Sequence, residues 1–246
     1  MKVERNAVDG LERYELEGEQ YLRFFEKFFE LRKPQSYFEI GVNKGKSLSI
    51  PRCASVGVDP GFIVDREIIG NKPELHLFQL TSDDFFKNKD LNYYFPSGVD
   101  VAFLDGMHVF EYLLRDFINI ERFVNDSSTV FIHDCLPINA EMTERDRRPS
   151  LRKDAKYKSH WTGDVWKIIP ALMKYRPELK LSILNCRPTG LVVVNGLDRS
   201  SKILSERYED IVAEFAGIEM TSDSISEFYS NLELVDSDDF LGGLKT

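Results

Sequence analysis

The chain has 246 residues, with 32 Lys and Arg against 41 Asp and Glu, and a formal charge of −9. Its apolar content suffices for one large core, and the acidic balance argues against nucleic acid as the main partner, because phosphate-binding proteins carry a basic surplus or stripe. The apolar runs are too short to span a bilayer, and the N-terminal residues lack the apolar block of a signal peptide, so a cytoplasmic protein with no membrane partner is expected. Cys53, Cys135 and Cys186 lie far apart. That spacing fits a reducing compartment and argues against a disulfide framework or a cysteine-rich zinc site.

Residues 19–33 place Tyr21, Leu22, Phe25, Phe28, Phe29 and Leu31 at helical spacing, and Arg32, Lys33 and Pro34 close the pattern. Strands are predicted over 36–40, 54–58, 75–80, 99–104, 129–133, 181–185 and 190–195. A helix runs from Val109 to Phe123 between two of them. Strands alternating with helices predict an α/β, doubly wound, mostly parallel seven-stranded sheet with helices on both faces. The last two strands are too close for a parallel crossover, so they form a C-terminal antiparallel hairpin. Three regions follow: an N-terminal helical segment over 1–35, a core over 36–197, and a C-terminal helix with an acidic tail over 198–246. Residues 141–160 hold seven Lys and Arg against four acids without apolar periodicity. They read as a mobile basic lid loop. Residues 221–246 hold six acids and one lysine, and read as a solvated tail after about Val235.

Ligands of open α/β sheets bind beyond the C-terminal ends of the strands. The first strand runs into Glu39-Ile40-Gly41-Val42-Asn43-Lys44-Gly45. Gly41 and Gly45 suit a tight turn that a ligand approaches closely. Their spacing is not the G-x-G-x-x-G of dinucleotide sites, and Glu39 would repel a pyrophosphate but suits a cationic ligand. Asp59 ends the second strand, placed for a ribose diol, although Asp-Pro is also a common turn. Ser82 and Asp83 follow the third strand, where they suit either an adenine contact or a helix cap. The fourth and fifth strands end in Asp105-Gly106-Met107-His108 and His133-Asp134. Asp105 and Asp134 offer hard oxygen ligands for Mg2+ or Mn2+, with His133 as third ligand or orienting group. His108 suits a general base.

These motifs resemble those of class I S-adenosylmethionine-dependent methyltransferases, over roughly 36–197. The E-x-G-x-x-x-G of Glu39, Gly41 and Gly45 is similar to their first motif, Asp59 to their second-strand acid, and the terminal hairpin to their reversed last strand. The D-G-x-H at Asp105 resembles metal-dependent O-methyltransferases that act on macrolide sugars. The resemblance implies a Rossmann-like fold and S-adenosylmethionine as cofactor. It puts Glu39 and Gly41 at the methionine part and Asp59 at the ribose, and Asp105 with both the cofactor contacts and the metal ligands. It also implies His108 as the base that takes a hydroxyl proton. Relatives place an acid or amide where this chain has His133, which leaves the third metal ligand open. They often self-associate, so a homo-oligomer is expected.

The acceptor expected on these grounds is a small molecule such as a sugar or an anionic glycoside. Arg145, Arg147, Arg148, Arg152 and Lys153 are candidates for its charge, and Trp161 for stacking on it; Trp166 reads as core. Thr162 or Asp164 is expected to cap the helix that follows. Three other readings compete. A NAD(P)-dependent oxidoreductase lacks its glycine motif. A non-catalytic cofactor- or sugar-binding protein would tolerate replacement of His108 and Asp134. A metal-dependent hydrolase would bind metal without S-adenosylmethionine.

Overall fold

A computed structural model describes residues 3–8 and 11–245. The chain opens with an antiparallel hairpin of β1 (Val3–Val8) and β2 (Leu11–Leu16), a separate two-stranded sheet. The expectation of a purely helical N-terminal segment is corrected there: Tyr14 and Leu16 are buried and anchor β2 on the main core, with Tyr14 stacked on Tyr229 at 4.5 Å. Helix α1 (Tyr21–Arg32) follows, its first turn capped by the Gln20 side chain, which accepts the N–H groups of Leu22 and Arg23.

The alternation then runs β3 (Ser36–Ile40), β4 (Ala54–Val58), β5 (Leu75–Phe78), α2 (Ser82–Asn88), β6 (Val99–Leu104), α3 (Phe110–Glu121) and β7 (Val124–His133). After a long loop come α4 (Ile168–Tyr175), β8 (Lys180–Leu184), β9 (Leu191–Asn195), α5 (Ile203–Glu206), α6 (Tyr208–Phe215), α7 (Ser222–Ser230), β10 (Leu234–Val235) and α8 (Ser237–Gly243). The main sheet has the order β10-β8-β9-β7-β6-β3-β4-β5. Every pairing is parallel except those of β9, which runs against both β7 and β8. The mostly parallel, Rossmann-like sheet with its hairpin is therefore present, with eight strands rather than seven.

The eighth strand, β10, and α8 replace the expected solvated tail. Residues 234–241 keep apolar side chains at intervals that the acids around them mask in a composition count. Leu241 is buried, and Phe240 meets Phe24 of α1 at 6.0 Å. The acids serve the backbone: the Asp236 carboxylate accepts the N–H of Asp238 at the start of α8.

The period of two along the central strands sorts side chains to two layers. Phe38, Ile40, Ala102, Leu104, Val130 and Ile132 face the layer built with α2, α3, α4, α6 and α7. Tyr37, Val101, Phe103, Phe131, Leu191 and Val193 face α1 and α8. Phe131 is the hub of that second layer, with Phe24, Phe25 and Phe28 around it at 6.1, 5.1 and 4.8 Å. The phenylalanine run of α1 is thus sheet-packing core.

Among the described residues no helix is long and apolar enough to cross a membrane. Phe131→Ala is expected to cost about 3–5 kcal/mol, by lost transfer energy plus a cavity that flanking rings cannot close. A urea titration checks this through a lower midpoint at constant slope; a loss under about 1 kcal/mol would mean that the ring cluster repacks.

Candidate functional site

Strand order reverses between β3 and β6, since β4 and β5 lie on one side of β3 and β6, β7 and β9 on the other. Beyond the carboxyl ends at this reversal lies a cavity of about 640 Å3. Gly41 (φ 89°) makes the reversal possible. A Cβ there would lie 1.9 Å from the Asp105 carbonyl oxygen, so only glycine lets the β3 turn close against the end of β6. The Asp105 N–H donates to the Ile40 carbonyl at 3.0 Å across the same contact.

Gly41, Asp59, Ser82, Asp83, Asp105, His108, His133 and Asp134 all border this one cavity. The Asp59 carboxylate accepts the N–H groups of Asn43 and Gly61, each at 2.7 Å, which ties the first glycine turn to the end of β4. Thr81, not Ser82 or Asp83, caps α2. Asp83 instead takes two hydrogen bonds from Arg115, at 2.9 and 2.7 Å.

Two predicted residues stand apart from the cavity lining. Gly45 holds a turn at φ 76° beneath Ile68. Glu39 is fully buried behind the first turn, where Tyr37 and Ser47 donate hydroxyl hydrogen bonds to its carboxyl at 2.7 and 2.6 Å. Burial pushes its pKa up to about 8, against the lowering effect of those two donors.

At the other end of the cavity two histidines and two aspartates interlock. His108 Nε2 lies 3.5 Å from Asp105 and 3.3 Å from Asp134. Its Nδ1 donates to the Trp161 carbonyl at 2.7 Å, which turns Nε2 toward the carboxylates. Gly163 (φ 54°) allows this placement, because a Cβ there would lie 1.7 Å from the His108 carbonyl oxygen. His133 Nδ1 lies 3.1 Å from Asp105 and 3.4 Å from Asp134, and its ring packs on Tyr21 at 4.2 Å. Thr189 donates to the Asp134 carboxylate. Asp134 itself holds φ 60°, a conformation rarely kept by a non-glycine residue without a tight surround.

Burial disfavours charge on His108, but Asp134 and Asp105 outweigh it and push its pKa up to about 9. Burial opposes ionisation of Asp105 as well, yet the two histidines hold it below the usual carboxylate range. The three side chains whose ligand atoms come together, within 4.8 Å of one another, are Asp105, His108 and Asp134. This set fits a divalent cation: two carboxylate oxygens and an imidazole whose other nitrogen is fixed by a carbonyl. His133, expected from sequence as third ligand or orienting group, sets its Nδ1 against both Asp105 and Asp134.

The loop over 141–160 reaches the site through few of its residues. Among its cations only Arg147 borders the cavity, beside Trp161. Arg145 pairs with Glu111 and Asp164, and Arg152 with Glu144. The loop is therefore stapled down by ion pairs that a one-dimensional charge count cannot reveal. Trp161 stacks on His108 at 5.1 Å. Trp166 is buried as expected and packs on Phe228. The capping expectation for Asp164 is corrected: it accepts the Phe110 N–H at 2.7 Å and so caps α3, not the helix that follows it.

Residues 38–135 match a family described as a methyltransferase domain, a span that begins in β3 and ends just after Asp134. Over this span the chain is similar to a methyltransferase domain, set on the Rossmann-like sheet described above. No curated protein matches the sequence. Among solved structures it is similar to a methyltransferase from Podospora anserina bound to S-adenosylhomocysteine, at 12% identity and TM-score 0.48, over 72% of this chain and 78% of that one. An O-methyltransferase of tomaymycin synthesis from Streptomyces achromogenes, in complex with SAM, is similar at 11% identity and TM-score 0.48, over 72% and 80%. A methyltransferase of the mycinamycin biosynthetic pathway, in complex with Mg, SAH and mycinamycin VI, is similar at 16% identity and TM-score 0.43. That match covers 74% of this chain and 49% of the other.

Glu39 gives a pH-dependent prediction. Its carboxyl stays protonated to about pH 8 in the folded chain but has a reference value of 4.5. Its contribution to stability is therefore full below about 4.5 and lost as pH rises through 8. Thermal melts at several pH values should show wild type losing stability across that window and Glu39→Gln losing less. Parallel curves for the two proteins would refute the assignment.

Proposed function

We propose that this protein transfers a methyl group from S-adenosylmethionine to a hydroxyl of a small molecule such as a sugar, with His108 as general base. The observation that carries the reading is the seating of His108. It is aimed by a backbone carbonyl, flanked by Asp105 and Asp134, and set on the same cavity as the Gly41 turn and Asp59.

S-adenosylmethionine, when bound, supplies a methyl already activated by its sulfonium. The chain's part is alignment and proton removal. Asp59 is oriented by two backbone N–H groups, with lone pairs left for a ribose diol. Ser82 and the adjacent Asp83 border the same cavity, where an adenine would rest. His108 Nε2 accepts the hydroxyl proton once it is itself neutral. The imidazolium so formed is stabilised by the two carboxylates that raise its pKa, so the base is strong but scarce at neutral pH.

The cluster of Asp105, His108 and Asp134 favours a second reading, in which a divalent cation is held by these three residues. A cation there would lower the pKa of a hydroxyl bound to it. His108 would then be a ligand, and its proton would be released on binding.

Titration calorimetry with S-adenosylhomocysteine tests the cofactor assignment. Binding is expected in the micromolar range and should weaken at least tenfold, about 1.4 kcal/mol, in Asp59→Ala. Absence of binding would overturn the proposal. A pH profile of methyl transfer separates the two readings. With a chelator present the rate should climb with pH toward about 9, following loss of the His108 proton. Activity abolished by the chelator and restored by Mn2+, with the climb moved to lower pH, would favour the cation.

A further inference from the structure

We propose that Arg147 binds an anionic group of the acceptor, so that the acceptor is a small hydroxylated molecule bearing a carboxylate or phosphate. This rests on the methyltransferase reading above and names the substrate class of that site.

The charge inventory of the loop carries the inference. Arg145, Arg148, Arg152 and Lys156 are each answered by a carboxylate, of Glu111 and Asp164, Asp146, Glu144 and Glu15 respectively. Arg147 has no carboxylate partner among the described residues. Its Nη2 donates to the Ser159 carbonyl at 3.0 Å, and that bond fixes the side chain across the loop while leaving other guanidinium N–H groups for a ligand. It is also the one Lys or Arg among the described residues bordering the cavity.

The acids of the cavity, in contrast, each have partners. Asp59 accepts two backbone N–H groups, Asp83 is bridged by Arg115, and Asp105 and Asp134 share the two histidines. Arg147 is thus the cationic side chain that the cavity offers without a carboxylate partner among the described residues. A guanidinium fork matches the planar oxygens of a carboxylate, or two oxygens of a phosphate, in a bidentate pair.

Position assigns this charge to the acceptor. Arg147 is anchored to Ser159, two residues before Trp161, whose carbonyl aims His108 and whose ring stacks on it. Arg145 pins the near side of the loop to Asp164, next to Gly163 under the His108 backbone. The guanidinium and the base are therefore both tied to the stretch from Ser159 to Trp161.

The test uses ligand-observed NMR on the protein loaded with S-adenosylhomocysteine, with matched pairs as probes: glucuronate against its methyl ester, and galactose 6-phosphate against galactose. At least one anionic member should bind about tenfold tighter than its neutral partner or more, the scale of one charge-assisted hydrogen bond. The preference should vanish in Arg147→Gln, persist in Arg148→Gln and fall with added salt. Equal binding within both pairs, no binding by any probe, or a preference that survives Arg147→Gln would overturn the inference and leave the cofactor reading standing. S-adenosylhomocysteine affinity, measured first on both variants, separates the remaining case. A tenfold loss in Arg147→Gln alone would move this arginine from acceptor to cofactor and overturn the inference. Failure of the wild type to bind S-adenosylhomocysteine would overturn the methyltransferase reading itself.

Discussion

The near contact of Gly41 with the Asp105 carbonyl sets the geometry of everything around it. Strands β3 and β6 are neighbours in the sheet, but the chain leaves β3 toward one edge and β6 toward the other. Their two exits must therefore diverge from almost the same point. A side chain at position 41 would separate them, since its Cβ would overlap the carbonyl oxygen. With glycine there, the turn carrying Asn43 folds back onto Asp59, while Asp105 and the loop to His108 leave on the other side. The cavity between the two is the consequence, and its two ends acquire different chemistry because different strands supply them.

The end built from β6 and β7 is a balance of charges that no member could hold alone. Burying Asp105 would drive it neutral and burying His108 would drive it neutral too. Together each keeps the other charged, with His133 adding to the field at Asp105 and Asp134 to that at His108. Aromatic rings flank the cluster, Tyr21 on His133 and Trp161 on His108. Asp164 links it to the fold: one carboxylate oxygen caps α3 while the other receives Lys167 at 2.7 Å and Arg145. The loop, the helix that follows His108 and the base are in this way fixed by one residue.

Much of this is legible in the amino-acid sequence. The strand-end residues Gly41, Asp59, Asp105, His108 and Asp134 can be found there because parallel strands have short apolar signatures, and a residue following one is placed by topology alone. The same logic does not reach the burial of Glu39. It lies within β3, so the pleat decides its side, and it points into the α1 layer beside Tyr37 rather than to the strand end. His133 and His108 differ for a similar reason, since His133 ends a strand and packs on Tyr21 while His108 lies in the loop beyond its strand and is turned by the Trp161 carbonyl.

What the sequence determined by itself was the order of elements and the chemistry at their ends, because apolar periodicity and turn residues are local properties that act over a few positions. The tertiary structure alone decided which charges meet. Pairs such as Arg13 with Asp154 and Arg176 with Glu121 join positions far apart in the chain, at 2.7 and 2.6 Å. Whether an acidic stretch becomes a helix packed on α1, or a basic loop offers one arginine without a carboxylate partner instead of four, depends on partners brought close only by folding. A composition count weighs every charge equally, whereas the fold neutralises most of them and leaves Arg147 facing the cavity.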